Sequence, residues 1–129
     1  TVPDFDFADW ERTYRGLLDR ARQANPALKI VLCTPFAAPC GKIVEGALGE
    51  YYPLRQRILA QCCVIVERIA ADYGATLVPF HRLIADLETR LPNGDATYWV
   101  WDGIHPTPAG QRLMADCWIG AAARNGVME

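Results

Sequence analysis

Apolar positions recur with a helical period in four stretches of this chain and run almost without interruption in two. From Asp6 to about Ala24, the residues Trp10, Tyr14, Leu17, Leu18 and Ala21 fall three or four apart, which predicts an amphipathic helix. Asp6 suits its N-cap, Asp9 and Glu11 suit the positive end of its dipole, and Asn25-Pro26 stops it. Leu28 to Thr34 (LKIVLCT) is then a near-continuous apolar run of strand length. A strand apolar on both faces belongs between two layers, as in a parallel sheet covered by helices.

A second helix is predicted from about Pro53 to Tyr73, where Ile58, Cys62, Ile65, Ile69 and Tyr73 keep the helical spacing. Pro53 fits its first turn and Gly74 its C-terminal cap. Thr76 to Phe80 (TLVPF) reads as a second short strand, Arg82 to Arg90 as a third helix, and Pro92-Asn93-Gly94 as a turn. The last helix runs from Pro108 to about Ala123. Between Pro35 and Pro53 lie Pro35, Pro39, Gly41, Gly46 and Gly49 with no sustained period, and so long a loop is more often functional than idle.

Alternating helices and strands belong to an α/β fold with a parallel sheet. A sheet of two strands cannot cover four helices, however. Either the sheet is very small or its other strands lie outside this chain, and residues 1–129 read like half a domain. Leu28 to Thr34 should lie parallel to Thr76 to Phe80 and meet a further strand on its other side. Without one, the N–H and C=O groups of an interior strand go unpaired.

Composition narrows the function classes. The chain has 129 residues, room for one domain, and 51% of them are hydrophobic. With 13 basic and 15 acidic residues its net charge is −2, without the basic excess of a nucleic-acid binder. No apolar run approaches the roughly 18 residues of a membrane span, and Thr1 to Trp10 has no signal-peptide profile. Five cysteines, with no C-x-x-C spacing, and two histidines make a metal site unexpected, and no cofactor is implied. The cysteines read as reduced structural thiols, with Cys40 on its loop the expected exposed exception. Their odd number favours the cytoplasm, whereas an export signal upstream of Thr1 would place the protein outside, so the compartment stays open. Serine is wholly absent.

Candidate chemistry concentrates in Asp102-Gly103-Ile104-His105-Pro106-Thr107-Pro108-Ala109-Gly110. A carboxylate three residues before a histidine in a loop can fold back to accept the Nδ1 proton. It then fixes the tautomer and leaves the other nitrogen free as a general base. Gly103 permits the tight path between the two, Pro106 stiffens the exit, and Thr107 with Pro108 starts the last helix. The alternative for Asp102 is a simple turn former. His81 has no carboxylate at a telling spacing and reads as a structural or surface histidine. Trp99 and Trp101 share one face if Tyr98 to Trp101 is extended, either as an apolar or sugar-stacking wall beside the dyad or as packing under the final helix.

The string DGIHPT resembles the final D-x-x-H-P block of the GDSL/SGNH-family hydrolases, matched by Asp102, His105 and Pro106. The segments YWVW, KIVLCTP and ERIAADYGATLVPF resemble that family too, so the likeness covers nearly all of the chain. It implies a flavodoxin-like three-layer α/β/α sandwich with a parallel sheet, of which residues 1–129 would be the C-terminal half, completed by strands outside this chain. It also implies a Ser-His-Asp hydrolase acting on acyl or acetyl esters, some of them carbohydrate esters. Only Asp102 and His105 carry over. The family's serine sits in an N-terminal G-D-S block, and its oxyanion hole uses a glycine and an asparagine from two further blocks. None of these occurs here, and Asn25, Asn93 and Asn125 have the wrong neighbours. In the family, the last of the three lies shortly before the helix that begins here near Asp6. The expectation is therefore a chain that supplies the Asp-His dyad and is inactive alone, while an N-terminal segment or second chain carries the serine. The alternative is a non-catalytic binding module that has lost the nucleophile. A third reading, Thr1 as an N-terminal nucleophile, finds no support in Thr-Val-Pro-Asp.

Overall fold

The first and last helices each begin at a side chain that takes an orphan N–H. The computed structural model describes residues 5–91 and 95–128; Thr1 and the expected turn at Pro92-Asn93-Gly94 lie outside them. Helix α1 (Phe7–Ala24) is capped by the Asp6 carboxylate, which accepts the Asp9 N–H at 2.9 Å. Strand β1 (Val31–Cys33) follows, then a 3₁₀ turn (Gly41–Val44) and the short helix α2 (Gly46–Glu50). Helix α3 (Tyr52–Tyr73) carries Pro53 in its first turn and is capped by Gly74, whose N–H donates to the Ala70 and Ala71 carbonyls. Then come β2 (Thr76–Val78), α4 (Phe80–Arg90), a 3₁₀ turn (Ala96–Tyr98) and α5 (Pro108–Arg124). Among the described residues no helix is long and apolar enough to cross a membrane.

The fold is a mostly helical α/β arrangement around a two-stranded parallel sheet, with Val31, Leu32 and Cys33 opposite Thr76, Leu77 and Val78. Ile30 and Leu32 point to one face and pack on Ile65, Val66, Ile69 and Ala70 of α3, with Leu77 joining them. Burying each such side chain stabilises the fold by about 1.5–3 kcal/mol. Helix α1 lays Trp10, Tyr14 and Leu18 against this cluster, yet none of its own residues is fully buried. Helix α5 packs against β2.

Two strand expectations need correcting. Both ladders are shorter than the apolar runs. Pro79 lacks an N–H and serves as N-cap of α4, which starts at Phe80 rather than Arg82 because the Thr34 hydroxyl accepts the His81 N–H at 3.1 Å. Nor is β1 buried on both faces: Leu32 is, whereas Val31 and Cys33 are half-buried. The reason lies at its edge. Thr76 N–H donates to the Ile30 carbonyl and Thr34 N–H to the Val78 carbonyl, so by alternation the backbone groups of Val31 and Cys33 face away from β2. No hydrogen bond among the described residues reaches them.

The Pro35–Pro53 loop is more ordered than its composition suggests. Ile43 is almost wholly buried, and Ala38 and Cys40 join Ile84, Ala96 and Val100 in a second core. Cys40 is therefore not the exposed thiol expected. Its S–H donates to the Val100 carbonyl at 2.9 Å, and burial pushes the thiol above its ordinary pKa. All five cysteines are free.

Candidate active site

The chain from Val100 to Pro106 forms a tight antiparallel return closed by a Val100–Pro106 bridge, with Trp101 N–H donating to the His105 carbonyl at 3.1 Å. Inside it, Asp102 folds back on its own backbone. Its Oδ1 accepts the Ile104 N–H at 2.9 Å and the His105 N–H at 2.7 Å, the local turn that a short carboxylate side chain favours. Its Oδ2 lies 2.7 Å from His105 Nδ1. The backbone N–H of His105 is the main cause holding the Asp102 carboxyl down to about 2, with further lowering from the imidazole and the Ile104 N–H against an opposing effect of burial.

An ionised carboxylate only accepts, so Nδ1 carries the proton facing Asp102, and the neutral ring keeps its lone pair on Nε2. The His105 side chain is 67% exposed against 14% for Asp102. Nε2 therefore has access to an incoming group while its support is shielded. Such a pair can accept a proton from a nucleophile and stabilise the imidazolium that results.

The return is held from both ends. Thr107 caps α5 by accepting the Gly110 N–H at 3.1 Å, and its own hydroxyl donates to the Tyr98 carbonyl at 2.7 Å. Beneath it runs the loop after β1, whose Ala38 N–H donates to the Gly103 carbonyl at 2.9 Å. Gly103 (φ +90°) and Gly41 (φ +61°) lie at this crossing. A Cβ on Gly41 would stand 2.6 Å from Asp102 Cα, and one on Gly103 would stand 2.6 Å from the Cys40 carbonyl oxygen and meet Ile43. Gly103 is legible in the sequence as part of a tight path. Gly41, Cys40 and Ile43 are buttressing residues that sequence reasoning missed, and the Pro/Gly-rich composition of their loop is the signal that could have pointed to them.

The two tryptophans part company. Residues Ala96–Tyr98 form a 3₁₀ turn, so the segment is not extended and Trp99 and Trp101 do not share a face. Trp99 sits edge-on to Tyr98 at 4.8 Å and packs on the second core, with a buried indole N–H that has no partner among the described residues. Trp101 is 55% exposed and stacks on His105, with ring centroids 6.0 Å apart and planes 22° from parallel. His81 stands elsewhere. Its Nδ1 lies 2.7 Å from Thr34 Oγ1 and its Nε2 3.8 Å from Glu67, a carboxylate on α3 that chain spacing could not reveal. Among the described residues, no group of three or more His, Cys, Asp and Glu side chains could hold a metal ion.

The described residues thus form a small parallel sheet framed by helices, with a hydrogen-bonded Asp-His pair on the loop that enters the last helix. The sequence model of the GDSL-like lipase/acylhydrolase family matches residues 2–113, and the chain belongs to that family. A Parabacteroides merdae protein assigned to the GDSL-like lipases superposes with a TM-score of 0.73 at 28% identity, over 88% of this chain and 48% of that one. A variant of an acetyl xylan esterase from Geobacillus stearothermophilus superposes with a TM-score of 0.66 at 25% identity, over 90% of this chain and 47% of that one. The chain thus spans about half the length of each. No curated protein sequence matches it.

Proposed function

We propose that this chain carries the general-base half of a serine-type carboxylic ester hydrolase, Asp102 and His105. The serine and oxyanion donors would come from an N-terminal segment or a second chain that pairs with the open edge of β1. The observation that carries this reading is the hydrogen-bonded Asp102–His105 pair with its accessible Nε2. The backbone groups of Val31 and Cys33, unpaired among the described residues, support the position of the completing strand.

In this mechanism His105 Nε2 takes the hydroxyl proton as the serine oxygen attacks the ester carbonyl carbon. The tetrahedral intermediate collapses, the carbon–oxygen bond to the alcohol breaks, and the proton passes from His105 to the departing alcohol oxygen. Water, deprotonated by the same nitrogen, then releases the acid. Asp102 holds the ring and stabilises its positive form throughout. Trp101 and Ile104, both exposed, flank His105 as an apolar wall for an acyl group or a sugar ring. The substrate class is an acyl or acetyl ester, with carbohydrate acetates favoured by the likeness to an acetyl xylan esterase.

The test uses a preparation that contains this chain and the serine-bearing segment, assayed with a short-chain aryl ester. His105→Ala should lower hydrolysis about ten-thousandfold, the usual loss for a member of such a triad. His81→Ala should leave most of the activity, and the chain alone should show none. Equal losses from the two substitutions would refute the assignment. The absence of serine from all 129 residues favours one second reading, a binding module without turnover. It predicts ester binding but no hydrolysis in the complemented preparation.

A further inference from the structure

Loop 35–39, the first half of α3 and one face of α4 from His81 to Glu88 border a cavity of about 430 Å³, and no residue from Trp99 to Thr107 lines it. Its size, and its mostly apolar walls with a few polar groups, are those of a small-molecule site. Phe36 and Leu59 supply wall, and Tyr52, Gln56, His81 and Glu88 supply the polar groups. Most of these are already engaged. Gln56 Nε2 donates to the Ala37 carbonyl at 3.1 Å and also meets the Tyr52 hydroxyl. His81 is tied to Thr34, and burial holds its imidazole below the ordinary histidine value, so it offers no charge at neutral pH. The Arg82 guanidinium, on the same helix as Glu88, is held by Glu67 at 2.6 Å.

Glu88 is the exception. It is half-buried and has no hydrogen bond or ion pair among the described residues, and burial alone pushes its carboxyl upward. A desolvated carboxylate without a counter-charge is costly, and a cation arriving in the cavity removes that cost. Aromatic walls add a preference for cations over neutral groups.

We propose that this cavity binds a small organic ammonium ion with a short apolar body, its nitrogen held by Glu88 and its hydrocarbon against Phe36, Tyr52 and Leu59. A lysyl side chain presents the same chemistry, so the test separates the two sources. Amide chemical shifts of the 129-residue chain are followed during titration with n-pentylammonium, with neutral 1-pentanol, and with the peptide Gly-Gly-Lys-Gly-Gly. Saturable shifts at Ala37, Gln56 and Ala85 are expected, with pentylammonium at least tenfold tighter than pentanol. Glu88→Gln should bring the two affinities together. Ala85→Trp, at an exposed helix position on the cavity wall, should remove both. Equal affinities in the unaltered chain, or an ammonium preference that survives Glu88→Gln, would overturn the proposal. A lysyl peptide binding tighter than pentylammonium would overturn the assignment to a small amine.

Discussion

Two histidines, each with a carboxylate nearby, sit in opposite surroundings. His105 lies on a surface return with its ring two-thirds exposed, and Asp102, three residues away, touches both its ring and its backbone. His81 lies in a corner between β1 and α4, its ring nitrogen on Thr34 and its carboxylate, Glu67, at a looser 3.8 Å. The same two groups, carboxylate and imidazole, thus make a hydrogen-bonded, accessible pair in one place and a neutral, partly desolvated one in the other. What separates them is hydrogen bonding to the carboxylate and access to the second nitrogen, rather than proximity of acid and imidazole.

Carboxylate substitutions give the sharpest way to break that comparison. In the complemented preparation, Asp102→Asn should lower ester hydrolysis about ten-thousandfold, because an amide nitrogen facing Nδ1 selects the wrong tautomer. Glu67→Gln should change it less than twofold, and comparable losses in kcat/KM would erase the distinction. Next in size is the support beneath the loop. Gly103→Ala places a Cβ against Cys40 and Ile43 at a positive φ, and should destabilise the chain by roughly 2–6 kcal/mol in urea unfolding. An unchanged midpoint would mean the return is not held by this crossing. Thr107→Ala removes the α5 cap and should cost about 1 kcal/mol in the same measurement.

The smallest effects are in pH dependence, where the two sites also differ. Asp102, lowered in the fold, contributes stability that is fully present above its ordinary value of 3.8 and is lost as pH falls through about 2. Its side-chain carboxyl carbon, followed by NMR, should titrate near 2. His81, also lowered, stays neutral in the fold while the unfolded chain takes up a proton near its ordinary value of 6.5. Stability should therefore begin to fall as pH drops below that value, and His81→Asn should flatten the dependence there. A profile unaffected by that substitution would place the burial cost elsewhere.

Much of the fold was legible because its signals are local. The Asp6 and Thr107 caps, the Gly74 stop and the turns of α3 rest on residues within four positions of each other. Asp102 and His105 belong to the same class, since a three-residue separation is enough to bring carboxylate and imidazole together. Which tryptophan packs and which stays exposed was not legible, because it depends on Asp95 capping a 3₁₀ turn by accepting the Thr97 N–H, which keeps the segment from the extended form. Cys40 was misread because its partner is the Val100 carbonyl, sixty residues away.

By itself, then, the sequence determined the four longer helices, the presence of two short strands and the closeness of Asp102 to His105, all of them written in short-range spacing, but not α2 within the Pro35–Pro53 loop. Tertiary structure decided which loop lies under the dyad, that Gly41 packs so close that a Cβ there would stand 2.6 Å from Asp102 Cα, and that Glu67 and Thr34 meet at His81. It also decided that Glu88 faces a cavity without a counter-charge among the described residues. Those contacts join segments tens of residues apart. They follow from how strands and helices pack their apolar faces, which no local spacing encodes.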